Sequence, residues 1–335
     1  MSREQVAVPI SENTHVSEAR RSAVRLAQDL GFDQASEGNL AIVVSELARN
    51  ILLHGGGGET VLQAVEHTGG PAVDVIALDK GRGIGDMSLA LQDGYSSAGT
   101  PGTGFGAVQR LTSKYAAYTI SGHGTAILAR VHAGGKREFA WPDIGSVCVP
   151  IAGEALSGDA WDYHDDSARR VVMVADGLGH GVAASDAAQE ALAAFRVNVQ
   201  RHPEEMIAAA HGRLQKTRGA AVAVAEIDFE RQVVRYSGIG NIAGAIVGTG
   251  KTRSMISHNG IVGHQISKIQ EFTFPWEPNA MLIMYSDGIN SRCSLDPYPG
   301  LAEKSAALIA GVLYRDFKRG RDDATVVISK SRNAV

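Results

Sequence analysis

Four motifs in the second half of the chain set an aspartate directly beside an apolar run of four to six residues. Asp176-Gly177 closes "VVMVADG", Asp287 closes "MLIMYSDG", Asp322 and Asp323 open "DDATVVIS", and Asp159 stands in "ALSGDAWDY". Short runs rich in valine and isoleucine, bounded by such residues, are predicted strands. One Asp-Gly after a strand is ordinarily a turn. Four such motifs in one domain ask for a shared explanation. Gathered at one edge of a sheet, the carboxylates repel one another unless cations neutralise them. Oxygen donors without histidine or cysteine favour Mg2+ or Mn2+ over zinc. Two such ions about 4 Å apart can share a water and turn it against a phosphate ester.

The first half carries a different pattern. In "SELARNILLHGGGG" the residues Glu46, Asn50 and His54 fall four apart. On a helix they drift only about 40° per step and share one face. Leu40, Ile42, Val43, Leu47, Ile51 and Leu52 set the apolar side. A carboxylate and an amide turned into a cavity need polar company there. Magnesium and a polyphosphate supply it, because an asparagine oxygen can coordinate a hard cation and a glutamate can position or deprotonate an attacking hydroxyl. A solvated helix face ahead of a glycine loop accounts for the same spacing, and two further stretches favour the first account. "ALDKGRGIGD" puts Asp79 at the end of an apolar strand, followed by Gly81, Gly83 and Gly85. Such a carboxylate can accept from the exocyclic amine of adenine while glycine lets the backbone approach the ring. "GTPGTGFGAVQRL" then places Gly102, Thr103, Gly104 and Gly106 at the opening of a helix, where backbone N–H groups suit phosphates. Neither loop fits a P-loop or a dinucleotide fold. Residues 86–101 between them read as a lid.

In this order the motifs Glu-x3-Asn-x3-His, Asp-x-Gly-x-Gly and Gly-x-Gly-x-Gly resemble the Bergerat-fold ATPases that include gyrase and the histidine kinases. The likeness is strongest to the anti-sigma-factor serine kinases of the RsbT and RsbW type, over about residues 5–132. The resemblance implies ATP with Mg2+, Glu46 as catalytic base, Asn50 as magnesium ligand, and Asp79 with Gly81 and Gly83 as adenine anchor. Gly102, Thr103, Gly104 and Gly106 would cradle the phosphates, and His54 receives no role. Likewise "SGDAWDY…ADGLGHG…SDGI…RDDATVV" resembles the PPM metal-dependent serine/threonine phosphatases, in their SpoIIE and RsbX branch, over about residues 142–330. That resemblance implies two Mn2+ or Mg2+ ions bridged by the catalytic Asp176. The Gly177 carbonyl would sit on one ion, Asp287 and Asp322 on the other, and Asp159 close to the second. The choice of Asp322 over Asp323 follows the family motif. His180 stays open between ligand, substrate contact and turn residue.

Composition fits this division. The chain has 335 residues, a formal charge of -4, 20% charged and 44% hydrophobic residues, which suits a soluble α/β protein of two domains. The expected division is an ATP-binding α/β sandwich of Bergerat type over 1–135, a linker over 136–141 and a PPM-type α-β-β-α sandwich over 142–335. The near-neutral balance gives no reason to expect nucleic acid or a membrane surface. Two cysteines without CxxC spacing and a polar N-terminus point to a cytoplasmic protein with neither a disulfide framework nor a secretory leader. What the paired resemblances imply is a bifunctional regulator in a bacterial partner-switching pathway. Its first half would phosphorylate serine or threonine on STAS-domain anti-sigma-antagonist proteins, and its second half would remove that phosphate. A sigma-regulatory or stressosome-like complex and a homodimer belong to the same expectation. The alternative is a phosphatase whose first domain binds ATP or ADP, or sequesters a partner, without chemistry.

Overall fold

The computed structural model describes residues 5–67, 70–85, 104–135, 140–248 and 250–332. Gly102, Thr103 and the lid expected over 86–101 lie outside the described residues, as does 136–139 of the expected linker. The chain divides into two compact units, residues 1–142 with 295–315, and residues 143–294 with 316–335.

The first unit is a five-stranded antiparallel sheet with helices on both faces. β1 (Gln5–Ile10), α1 (Asn13–Asp29) and α2 (Gln34–His54) lead into β2 (Gly58–His67) and β3 (Gly70–Asp79); α3 (Gly104–Leu111), β4 (Lys114–Ile120) and β5 (Gly124–His132) complete it. The strand order is β1-β2-β3-β5-β4. Alanines at Ala19, Ala23 and Ala27, one helical turn apart and fully buried, let α1 lie close against α2. Asp33 caps α2, its carboxylate accepting from Ser36 N at 2.8 Å. The buried side of α2 holds Leu40, Val43, Val44, Leu47, Ala48 and Ile51. Ile42, expected on that side, is instead 46% exposed.

Strand alternation turns Val73, Val75 and Ala77 toward the helices and Asp74, Ile76 and Leu78 to the opposite face. That face is buried as well. The helix over Ala306–Phe317 lies on it with Gly311, where a Cβ would stand 3.0 Å from Ile76 Cγ2. Tyr118 Oη donates to Pro299 O at 3.1 Å, and Arg315 Nη1 donates to Asp79 O at 3.0 Å. Elsewhere in the unit Asp74 meets Arg130 in a buried two-pronged pair, 2.6 Å from Nε to Oδ1 and 2.7 Å from Nη2 to Oδ2. The Trp141 ring covers that guanidinium at 4.9 Å.

The second unit is two stacked sheets with helices on one outer face. Its elements are β6 (Ile144–Val149), β7 (Asp159–Asp165), β8 (Arg169–Gly177), α4 (Val182–Asn198), α5 (Pro203–Leu214), β9 (Ala220–Asp228), β10 (Val233–Ile239), β11 (Ala243–Val247) and β12 (Thr252–Met255). A small hairpin of β13 (Gly260–Ile261) and β14 (Gln265–Ile266) follows, then β15 (Phe272–Pro275), β16 (Met281–Tyr285), the helix named above, now α6, and β17 (Ala324–Lys330). The sheets run β15-β10-β9-β8-β7 and β12-β11-β16-β17-β6. Trp161, Val174, Ala223 and Tyr236 of the first interleave with Ile246, Leu282, Met284 and Val327 of the second. On the outer side of the first sheet Met173, Ala175 and Val224 pack against Leu192 and Phe195 of α4 and Met206 and Ile207 of α5.

By packing, residues 295–315 group with the first unit, while 143–294 and 316–335 form the second. Through Arg315, therefore, α6 belongs to the first unit and not to an outer layer of the second. Its local apolar pattern does not specify which sheet it covers.

Burial of Asp74 and Arg130 makes their pairing a strict requirement. Asp74→Ala leaves an uncompensated guanidinium and should cost about 3–5 kcal/mol, read from chemical denaturation, whereas replacing both residues with apolar ones of similar volume should cost far less.

Candidate functional site

Asp159 begins β7 directly opposite Asp176 on β8. Facing residues on neighbouring antiparallel strands lie within about 5.5 Å at Cβ, where like charges destabilise. Asp287 follows β16 and Asp322-Asp323 precede β17; these two strands pair, with Tyr285 against Val326, so their acidic ends lie side by side. Burial pushes the Asp176 carboxyl well above the usual range, and the charges of Asp159, Asp287, Asp322 and Asp323 push it further. Asp159 is raised mainly by burial, an effect its hydrogen bonds to Ser286 and Thr325 oppose. Asp287 is raised by burial and by Asp322, against the pull of Arg319 and Asn241. Five carboxylates thus share one electrostatic neighbourhood. Among the described residues no three acidic, imidazole or thiol groups close to metal-ligating distance. The assembly is one of charge, not a finished coordination shell. Its all-oxygen, uncompensated donor set suits hard divalent cations.

Neighbouring groups fix the acids individually. Ser286 Oγ donates to Asp159 Oδ2 at 2.5 Å while accepting from Thr325 N at 3.0 Å. Asn241 Nδ2 donates to Asp287 Oδ2 at 2.7 Å. Asp323 accepts from Ile151 N at 2.8 Å and Gly158 N at 2.9 Å, one bond on each oxygen, which pins the loop ahead of Asp159. Asp322 accepts its neighbour's N–H, from Asp323 N at 3.0 Å, and no other among the described residues. Of the adjacent pair, Asp322 keeps its carboxylate available. The glycines after the aspartates answer to close packing, not to turns. A Cβ on Gly177 would stand 2.0 Å from Ala184 O, and one on Gly288 would stand 1.9 Å from Asp323 O. His180 Nδ1 lies 2.7 Å from Glu154 Oε1, so that nitrogen is already engaged. Asn241 and Ser286 were not anticipated. The available signal for Asn241 was a polar residue after Gly240 at the end of an apolar strand; Ser286 had none beyond its place beside Asp287.

In the first unit Asp79 ends β3, and its Oδ1 accepts from Gly81 N at 2.8 Å and Thr125 N at 3.2 Å. Burial raises this carboxyl, while those hydrogen bonds and the charges of Arg315 and His54 oppose the rise. The tail of α2 abuts it: a Cβ on Gly55 would lie 2.5 Å from Asp79 Cβ, and one on Gly81 would lie 2.6 Å from His54 O. A Cβ on Gly83 would likewise stand 2.5 Å from Ile120 O. Farther up α2, Asn50 Nδ2 is buried without a partner, the kind of unsatisfied donor a bound polar group would meet. Glu46, in contrast, holds Arg49 Nη1 at 2.9 Å. Gly104 and Gly106 lie in α3. Thr125 was not anticipated as a neighbour of Asp79. A separate cavity of about 300 Å3, lined by Arg169, His202, Glu226 and Arg235 among others, contains none of these residues.

The match to known proteins also falls into two parts. Residues 10–131 match the model of the histidine kinase-like ATPase domain, and residues 166–332 match that of the stage II sporulation protein E (SpoIIE). Over 126 residues the chain is 33% identical to the serine/threonine-protein kinase RsbT of Bacillus subtilis (strain 168), spanning 38% of this chain and 95% of that protein. The chain belongs to the RsbT-type ATPase family in its first half and to the SpoIIE family in its second. The second half is therefore a PPM-type serine/threonine phosphatase domain. It is 25% identical over 143 residues to the phosphoserine phosphatase RsbX of the same organism, covering 41% of this chain and 70% of that one. A solved chain described as "The bacterial stressosome: a modular system that has been adapted to control secondary messenger signaling" shares the fold at a TM-score of 0.53 and 23% identity, over 56% of this chain and 97% of that one.

The raised carboxyl of Asp176 has a thermodynamic consequence. The folded chain holds that proton more tightly than the unfolded chain, so chelated protein should lose stability as pH rises through the folded-state titration and regain it on acidification. Saturating Mn2+ or Mg2+ should flatten the dependence. Thermal melts across neutral pH, with and without chelator, test both.

Proposed function

We propose that this protein sets the phosphorylation state of serine or threonine on a STAS-domain partner, with the second unit removing the phosphate and the first placing it there from ATP with Mg2+. The observation that carries the reading is the convergence of the other three aspartate motifs on Asp176. Asp176 and the Gly177 carbonyl would hold two Mn2+ or Mg2+ ions together with Asp287, Asp322 and, nearby, Asp159. When bound, such ions neutralise the acids and lower the pKa of a water for attack on the phosphorus. The chain's own part is positional. Asn241 sets the free oxygen of Asp287, Ser286 fixes Asp159, and Asp323 anchors the loop that carries Asp159. In the first unit Asp79 with Gly81 and Gly83 would take the adenine, Asn50 the magnesium, and the stretch Gly102, Thr103, Gly104 and Gly106 the phosphates. Joining both activities in one chain gives each a high effective concentration at a shared target. A stressosome-like regulatory complex fits such a target, and the kinship to RsbT and RsbX supports it.

A second reading rests on the Glu46–Arg49 ion pair, which occupies the proposed base. In that reading the first unit binds ATP or ADP, or sequesters a partner, and transfers nothing. Among the described residues no helix is long and apolar enough to cross a membrane.

Purified protein with Mn2+ should release phosphate from a phosphorylated STAS protein, and Asp176→Ala should abolish the release; release unchanged in the variant would overturn the hydrolase assignment. Asn241→Ala should cost about 10–100-fold in metal affinity or rate, the usual effect of losing a group that orients a ligand. Radiolabelled ATP separates the two readings of the first unit. Transfer to the partner by wild type and its loss in Glu46→Ala favour the kinase, whereas no transfer by wild type or by Arg49→Ala favours the binding module.

A further inference from the structure

Arg218 sits on the turn between α5 and β9, just ahead of the two residues that register with the centre of the acidic site: Ala220 opposite Gly177 and Ala221 opposite Asp176. The turn is tied at several points. Thr217 N donates to Leu214 O at 2.9 Å, Gly219 N to Thr217 Oγ1 at 3.0 Å, and Leu178 N to Gly219 O at 3.0 Å. From this base the side chain reaches back over the loop that follows Asp176. Its Nη1 comes within 3.2 Å of where a Cβ on Gly179 would stand, so the absence of a side chain at Gly179 leaves room for the guanidinium. Gly179 also has φ +87°, a conformation that favours glycine.

Other arginines of this unit are committed to carboxylates, among them Arg170 to Asp165, Arg196 to Asp162 and Arg213 to Glu190. Arg218 is exposed and has no such partner among the described residues. Arg319, another cation beside the site, already acts on Asp287, and its backbone N–H donates to Gly288 O at 2.8 Å. Arg218 therefore holds an exposed guanidinium against the loop that follows Asp176.

We propose that Arg218 binds the phosphate of the substrate, a phosphomonoester dianion, at the hydrolase site; this rests on the phosphatase reading above. A dianion approaching five carboxylates needs positive charge on its route beyond any bound metal. A guanidinium fork matches two phosphate oxygens at once, which an ammonium does not. Arg218 thus grips oxygens that do not leave, and it binds the product phosphate by the same contacts.

The experiment compares wild type, Arg218→Ala and Arg218→Lys in the full chain with Mn2+. It follows hydrolysis of a phosphoserine peptide and of an aryl phosphate, and the binding of inorganic phosphate by calorimetry. In Arg218→Ala the KM for both substrates and the Kd for phosphate should rise about 10–100-fold, the range for losing a charge-assisted hydrogen bond, with kcat much less affected and lysine restoring part of the loss. Equal phosphate affinity in wild type and Arg218→Ala, or no phosphate binding by either, overturns the proposal. So does an effect confined to the peptide, which would make Arg218 a reader of the surrounding protein. If wild type binds phosphate through Arg218 yet hydrolyses neither substrate, the phosphatase reading fails and the arginine assignment stands.

Discussion

Mutual repulsion among buried and half-buried carboxylates is the constraint around which the second unit is organised. Asp159 and Asp176 face each other across paired strands, and Asp287 and Asp322 are brought up by the neighbouring sheet. Burial makes the charges of Asp159, Asp176 and Asp287 costly. Such a cluster keeps its shape only if something stiffer than the acids holds it. Here that is the backbone: Gly177 lies against Ala184 and Gly288 against Asp323 so tightly that no side chain fits at either position. The hydrogen bonds of Ser286, Asn241 and Asp323 then set the direction of single oxygens. Between the sheets a dry core of Trp161, Tyr236, Leu282 and Met284 provides the apolar burial that offsets the cost.

The same logic runs in the first unit with one acid in place of five. Asp79 is buried at a strand end, but backbone N–H groups from Gly81 and Thr125 satisfy it. Gly55, just after α2, is held to glycine by proximity, since a Cβ there would collide with the Asp79 side chain. His54, at the end of α2, adds a favourable charge when protonated. The polar stripe along α2 is therefore graded: His54 lies by Asp79, Asn50 offers an unmet donor, and Glu46 is held by Arg49.

Much of this was legible because strand ends advertise themselves. An apolar run that stops at an acid marks both a strand and the edge where it ends, and Asp79, Asp176 and Asp287 were all visible that way. What pairs with what was not visible. The register that sets Asp159 against Asp176 arises from strands meeting in space, and no local pattern encodes it. The division of labour between Asp322 and Asp323 depends on N–H groups more than 160 residues away in the chain. Asn241 becomes meaningful only once β10 and β16 deliver it beside Asp287. Ile42 misled because helical spacing gives a face without saying how wide the covering layer is.

The least legible feature is the passage of residues 295–315 into the first unit. Its helix offered a hint, since "AALIAGVLYRDF" is apolar on nearly every side and buried from Leu308 to Arg315. Leaving one fold and returning to it means that two folds cannot be parted with a single cut. A fragment ending at Pro142 would bare Ile76 and Leu78 to water, and the remainder would carry a greasy helix with its bed removed. Halves swapped between relatives of this chain would have to carry that borrowed segment along, so recombination at the apparent seam is a poor route to working hybrids.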